Sequence, residues 1–156
     1  MIKTKRLPFF VFILVLLSCG KTEQPDIPSR PVNLTIHLGD KDKELNSILA
    51  SKIYTEKDIN TSLNERAGFG GVLVYHSSNG FLAFDAACPY EIDQNTRIKV
   101  DSNAITATCP KCGSTYSLDA GGVPISGPSS EYPERKRLRQ FYNVAQLSGN
   151  KIQVWN

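Results

Sequence analysis

"ATCPKCGSTYSLDAGG", residues 107–122, is the stretch on which the reading of this chain turns. Cys109 and Cys112 bracket Pro110 and Lys111, and Gly113, Ser114 and Tyr116 follow at once. The proline fixes φ directly after the first thiol and stiffens the loop. Two thiols on such a turn suit zinc, an iron–sulfur group or a disulfide. A thioredoxin-like pair needs a helix starting at the Cys-x-x-Cys, which lowers the first thiol's pKa. "GSTYSLD" is β-prone and turn-rich, which argues against that chemistry.

The same shape occurs once more upstream. "AFDAACPYE" ends an apolar run in Cys88-Pro89, as "ITATCPKCG" ends one in Cys109-Pro110. Two Cys-Pro loops leaving neighbouring hairpins read as two halves of one site. The hairpins are legible around their turns. "GVLVYH" and "FLAFDA" flank "SSNG", "RIKVD" and "AITAT" flank "DSN", and "RQFYNVAQL" and "KIQVW" flank "SGN". "VNLTIHL" adds an initial strand with Val32, Leu34, Ile36 and Leu38 on one face and His37 on the polar face. These elements predict an all-β fold, a small antiparallel β-sandwich or barrel whose hairpin loops carry the site. Between them, "ELNSILASKI" has apolar residues at 45, 48, 49 and 53, the spacing of a short amphipathic helix, with an irregular loop as the alternative.

The N-terminus places the chain in a compartment. Lys3, Lys5 and Arg6 precede the apolar run Leu7–Leu17, which is short for a membrane span and reads as a signal peptide, residues 1–18. The run ends in "LLSC", similar to the lipobox of bacterial lipoproteins, and that resemblance implies lipidation of Cys19. Gly20 follows, not Asp, a pattern implying the outer membrane of a Gram-negative bacterium. Residues 19–31 are polar and proline-containing and read as a tether, leaving residues 32–156 as one domain outside the cytoplasm. The formal charge of +3 falls close to zero once the three N-terminal cations leave with the signal, so nothing points to nucleic acid. The basic run ending at Arg139 reads as a solvated strand entry. There is no twin-arginine pair, so any metal would be acquired after export.

The ordered set of motifs resembles the Rieske 2Fe–2S family from about Gly71 to the C-terminus. Cys88 and Cys109 match its two cysteines, and Gly113, Ser114 and Tyr116 match the Gly-Ser-x-Tyr tail of its second loop. "VPISGPS", residues 123–129, matches its covering loop through Gly127 and Pro128. The resemblance implies a 2Fe–2S cluster, hydroxyls of Ser114 and Tyr116 bonded to the cluster and its cysteine ligand, and electron transfer with an unidentified partner protein. It implies no catalytic residue.

The departures lie at the ligands. Both histidine positions are replaced, by Tyr90 in the first loop and Cys112 in the second, and the chain's histidines, His37 and His76, lie elsewhere. Cys112 could supply a thiolate, and Tyr90, Glu91 or an outside group the fourth ligand. Three alternatives share the site: a cluster with altered ligands, zinc on three cysteines and Glu91, or a disulfide from Cys88 to Cys109 or Cys112 in a cluster-free binding or structural lipoprotein. Elsewhere, Trp155 and Phe141 read as core, Tyr90 as a packed or capping aromatic, and Asp85 and Glu91 as surface carboxylates. "GFGG", residues 68–71, lacks the helix and lysine of a phosphate loop.

Overall fold

The computed structural model describes residues 26–131, 133 and 135–156. The signal peptide, the Cys19 lipidation site and the first part of the tether lie outside the described residues. Among those described, no helix is long and apolar enough to cross a membrane.

The fold is all-β. Its strands are β1 (Val32–His37), β2 (Ser51–Tyr54), β3 (Arg66–Ala67), β4 (Val72–Ser77), β5 (Gly80–Asp85), β6 (Lys99–Val100), β7 (Thr106–Thr108), β8 (Thr115–Ser117), β9 (Val123–Ser126), β10 (Gln140–Phe141), β11 (Asn143–Leu147) and β12 (Lys151–Trp155). They form three antiparallel sheets with orders β11-β12-β1-β3, β10-β5-β4-β2 and β6-β7-β8-β9. None of these sheets closes on itself, so of the two expected architectures the described residues show the sandwich and not the barrel.

The β4–β5 hairpin is the central layer. Its register runs from Val72 opposite Asp85 to Ser77 opposite Gly80, leaving a two-residue turn at Ser78-Asn79. Val72 and Val74 pack with Leu34, Ile36, Ile152 and Val154 of the first sheet. Leu73 and Tyr75 pack on the opposite side with Phe84, Ala107, Tyr116 and the cysteines. That two-sided burial explains why "VLVY" is continuously apolar whereas β1 alternates, buried at Val32, Leu34 and Ile36.

The expected helix is not formed. Lys43–Asn46 is a short 3₁₀ turn, and Ser51–Tyr54 is a strand paired with β4. Leu49 takes φ 69°, which ends any helical continuation, and Ile48 stays exposed. Lys52 holds the turn against the strand, its ammonium 2.8 Å from both Asp42 and Glu44. Ordered packing also reaches into the stretch expected to be tether: Ile27 is buried, and the Arg139 guanidinium donates to its carbonyl. An apolar side chain in a proline-containing segment gains by docking on a nearby core edge.

Candidate metal centre

Both cysteine loops hang from the second core, the cluster of Leu73, Tyr75, Phe84, Ala107 and Tyr116 on the far side of the β4–β5 hairpin. Cys109 follows β7 directly, and its loop is the turn of the β7–β8 hairpin. Cys88 lies three residues beyond β5, in a segment closed by the Ala87–Arg97 bridge before β6. The loops share one backbone plan. The Ile92 amide donates to the Cys88 carbonyl at 3.0 Å, as the Gly113 amide does to the Cys109 carbonyl at 3.0 Å. The fifth residue of each turn is left-handed, Ile92 at φ 51° and Gly113 at φ 73°. Glycine takes that conformation freely, but a β-branched isoleucine is strained there, so the surrounding contacts hold the first loop against its own preference.

The two turns bring Cys88, Cys109 and Cys112 together. Their sulfurs all lie within 4.8 Å of one another, and Cys88 Sγ is 3.7 Å from Cys112 Sγ. All three are free thiols, so no disulfide staples the loops among the described residues. Cys88 and Cys109 are fully buried and Cys112 is half-buried.

Hydroxyls surround the sulfurs. Tyr116 Oη lies 3.5 Å from Cys88 Sγ and 2.7 Å from Ser129 Oγ. Ser114 Oγ lies 3.1 Å from Cys112 Sγ and accepts the Ser129 amide at 3.0 Å. Gly127 and Pro128 bring Ser129 into place at the start of a 3₁₀ turn, Pro128–Ser130. Gly127 sits at φ 76°, and a Cβ there would lie 2.6 Å from Ser114 Cα, so only glycine lets this loop close over the second cysteine turn. Gly127, expected to cover the site, lies against Gly113 and Ser114 of the second cysteine turn, and Pro128 follows it.

The ionisation pattern follows from the packing. Burial pushes the Cys88 thiol up to about 12, against the opposing hydrogen bonds from Tyr116 and from the backbone amides of Glu91 and Tyr90. Burial also raises the Cys112 thiol, but the Ser114 hydroxyl and amide and the neighbouring thiols outweigh it and hold Cys112 below the ordinary cysteine range. Burial raises the Tyr116 phenol as well, so it stays a hydrogen-bond donor. Three thiolates this close repel one another unless a cation sits among them. In metal-free protein at neutral pH, iodoacetamide is therefore expected to alkylate Cys112 well before Cys88, as read by peptide mass spectrometry. Equal labelling of the two would contradict the ordering.

Four expectations need correction, those for Asp85, Trp155, Tyr90 and Glu91. Asp85 is not a surface carboxylate. It is buried at the end of β5 and accepts the amides of Phe69 (3.2 Å), Gly70 (3.0 Å) and Ala87 (2.9 Å). It thereby ties "GFGG" to the segment leading into Cys88. Gly70 has no room for a side chain against Ala87, which is why the stretch is glycine-rich. Trp155 is not core but lies partly exposed at the end of β12, while Phe141 is buried as expected. Tyr90 is exposed and not packed. Glu91 is only 13% exposed, and its carboxylate is 2.5 Å from the ammonium of Lys111 in the other loop. His76 bonds the Leu45 carbonyl and stacks on Phe81, and His37 stays in β1, so neither histidine joins the centre. Ser129 was not singled out by sequence reasoning. Its signal was the Gly-Pro loop that carries it.

No protein-family model and no curated protein matches the chain. Three convergent thiols with hydroxyls on their sulfurs could hold a soft metal ion.

Proposed function

We propose that this chain is a Rieske-like iron–sulfur protein with an altered ligand set, anchored through Cys19 to the cell envelope, which passes electrons to a partner protein outside the cytoplasm. The observation that carries the proposal is the hydroxyl arrangement. Tyr116 reaches the sulfur of the first-loop cysteine, and Ser114 reaches that of the second loop, under the Gly127–Pro128 cover. The Tyr116 contact with Cys88 corresponds to the one the resemblance implies with a cysteine ligand, while the Ser114 contact falls on Cys112, where the family has a histidine. An iron–sulfur group bound here would supply one-electron redox chemistry.

The chain's own residues serve such a role. Cys88, Cys109 and Cys112 would hold the metal. The second core excludes water from two of the three sulfurs. Cys112 lies half-buried beside exposed Pro110 and Lys111, so the centre sits close to the surface that a partner would meet. The Tyr116 hydroxyl spreads negative charge away from Cys88 and so favours the reduced state. Tyr116→Phe is accordingly expected to lower the reduction potential, on the order of tens of millivolts, with the metal retained. Redox titration of the two proteins checks this, and an unchanged potential contradicts the assigned role. For the proposal as a whole, dithionite reduction followed by electron paramagnetic resonance should reveal a paramagnetic reduced state. A protein silent in both states is no electron carrier of this kind.

One distance favours a second reading. A single tetrahedral ion with metal–sulfur bonds of about 2.3 Å holds its sulfurs roughly 3.8 Å apart, and Cys88 and Cys112 are 3.7 Å apart. On that reading the centre is a mononuclear, zinc-type structural site in a binding lipoprotein. Iron and zinc content separates the two.

A further inference from the structure

We propose that the Glu91 carboxylate is the fourth ligand of this centre and that Lys111 holds it in reserve until a metal binds. The inference rests on reading the three cysteines as a metal site, and it names what completes them.

The argument is one of local equivalence. Cys88-Pro89-Tyr90-Glu91-Ile92 and Cys109-Pro110-Lys111-Cys112-Gly113 are the same five-residue turn. Each closes with the fifth amide on the first carbonyl at 3.0 Å, and each has a left-handed fifth residue. Glu91 thus occupies in the first turn the place Cys112 occupies in the second. Cys112 turns its side chain to the shared point, its sulfur 3.7 Å from that of Cys88. Glu91 is largely covered; its carboxylate stands outside the group of three sulfurs and is turned across to the other loop, where it meets Lys111, the residue between Pro110 and Cys112. Tyr90, the other candidate in the loop, is exposed.

A four-coordinate ion needs one more donor than the cysteines provide, and a carboxylate is an accepted partner for thiolates on zinc-type ions. The Glu91–Lys111 pair lies against solvent on its lysine side, where the Lys111 side chain is 61% exposed. Such a pair is worth little, so a dication displaces the ammonium readily. No electrons change hands in this step: the thiol protons pass to solvent as the sulfurs bind, a carboxylate–metal contact forms, and a carboxylate–ammonium contact opens.

Cobalt(II) titration of the metal-free domain tests the proposal, because its visible ligand-field bands report the donor set. Wild type is expected to bind cobalt with bands of a three-sulfur, one-oxygen tetrahedral site. Glu91→Ala should weaken binding about tenfold or more and shift the bands. Glu91→Cys should restore affinity and strengthen the thiolate-to-cobalt absorption. Lys111→Met should bind as tightly as wild type or tighter, because the carboxylate is freed. A purely structural ion pair predicts otherwise: Glu91→Ala and Lys111→Met would move thermal stability together and leave the bands unchanged. Circular dichroism of each variant establishes that it is folded. Wild-type bands and affinity in Glu91→Ala overturn the inference and leave the cysteine centre standing. Failure of wild type to bind cobalt overturns both. Cobalt binding with the Glu91 dependence, in a protein that never holds iron, removes the electron-carrier reading alone.

Discussion

Replacing Asp85 with alanine is expected to cost the fold about 3–5 kcal/mol, because it strands three backbone amides, each worth about 1–3 kcal/mol when buried without a partner. Among the described residues, the amides of Phe69, Gly70 and Ala87 all converge on this one carboxylate. Against a total stability of about 5–15 kcal/mol, the loss is a large share. Urea unfolding of the two proteins measures it. A change within about 0.5 kcal/mol, as for an ordinary surface carboxylate, contradicts the account. Asp85→Asn should cost less, since one side-chain oxygen remains to accept Gly70 and Ala87.

The same carboxyl gives a pH dependence. Burial raises its pKa in the folded state, and the three amides and Arg139 oppose that only in part. The folded protein therefore binds this proton more tightly than the unfolded chain does. Its contribution to stability is fully present at pH below the ordinary aspartate value of about 4 and is lost as pH rises through the elevated value. Asp85→Asn should lack that decline, which is read by comparing unfolding midpoints of the two proteins across acid pH.

The second large effect concerns the centre itself. Cys109→Ser is expected to weaken metal binding about a hundredfold or more, because a serine hydroxyl does not ionise at neutral pH and gives no anionic donor. Cys109 is fully buried, and its carbonyl and amide already close the second turn, so the turn itself should survive the change. Ser114→Ala is the control: it removes a hydroxyl near Cys112 but no ligand, and the metal should be kept. Metal content after equilibration with a competing chelator reads both variants. Full retention of metal by Cys109→Ser would place the metal elsewhere.

These expectations draw unequally on what the sequence displayed. The hairpins were legible because turn residues and alternation speak locally: Ser78-Asn79 and Ser148–Asn150 sit where the pattern put them. The pairing of the two Cys-Pro loops was legible for the same reason, and the sulfurs do converge. The helix over "ELNSILASKI" was misread because its spacing is helical while its partner is not. Pairing of Ser51–Tyr54 with β4 outweighs the local preference. Asp85 was misread because an acid in a strand ordinarily faces water. Its reason lies fifteen residues away, in the Gly70 amide. Trp155 has the size of a core residue, but β12 alternates, burying Ile152 and Val154 and turning Trp155 to the outer face with Lys151 and Gln153. Strands β8 and β9 are too short to show a period, and only the Cys-x-x-Cys turn and the Gly-Pro loop fix their place.

The central claim is that Cys88, Cys109 and Cys112 are ligands of an iron–sulfur group. The most direct test is the visible spectrum of residues 20–156 isolated from their native envelope without reductant, with iron, sulfide, zinc and free thiols counted on the same sample. The account predicts broad visible absorption, about two irons per chain, and no thiol free to react. A colourless protein with a zinc ion in place of iron, or a metal-free one with two of the cysteines joined and the third reactive, would contradict it.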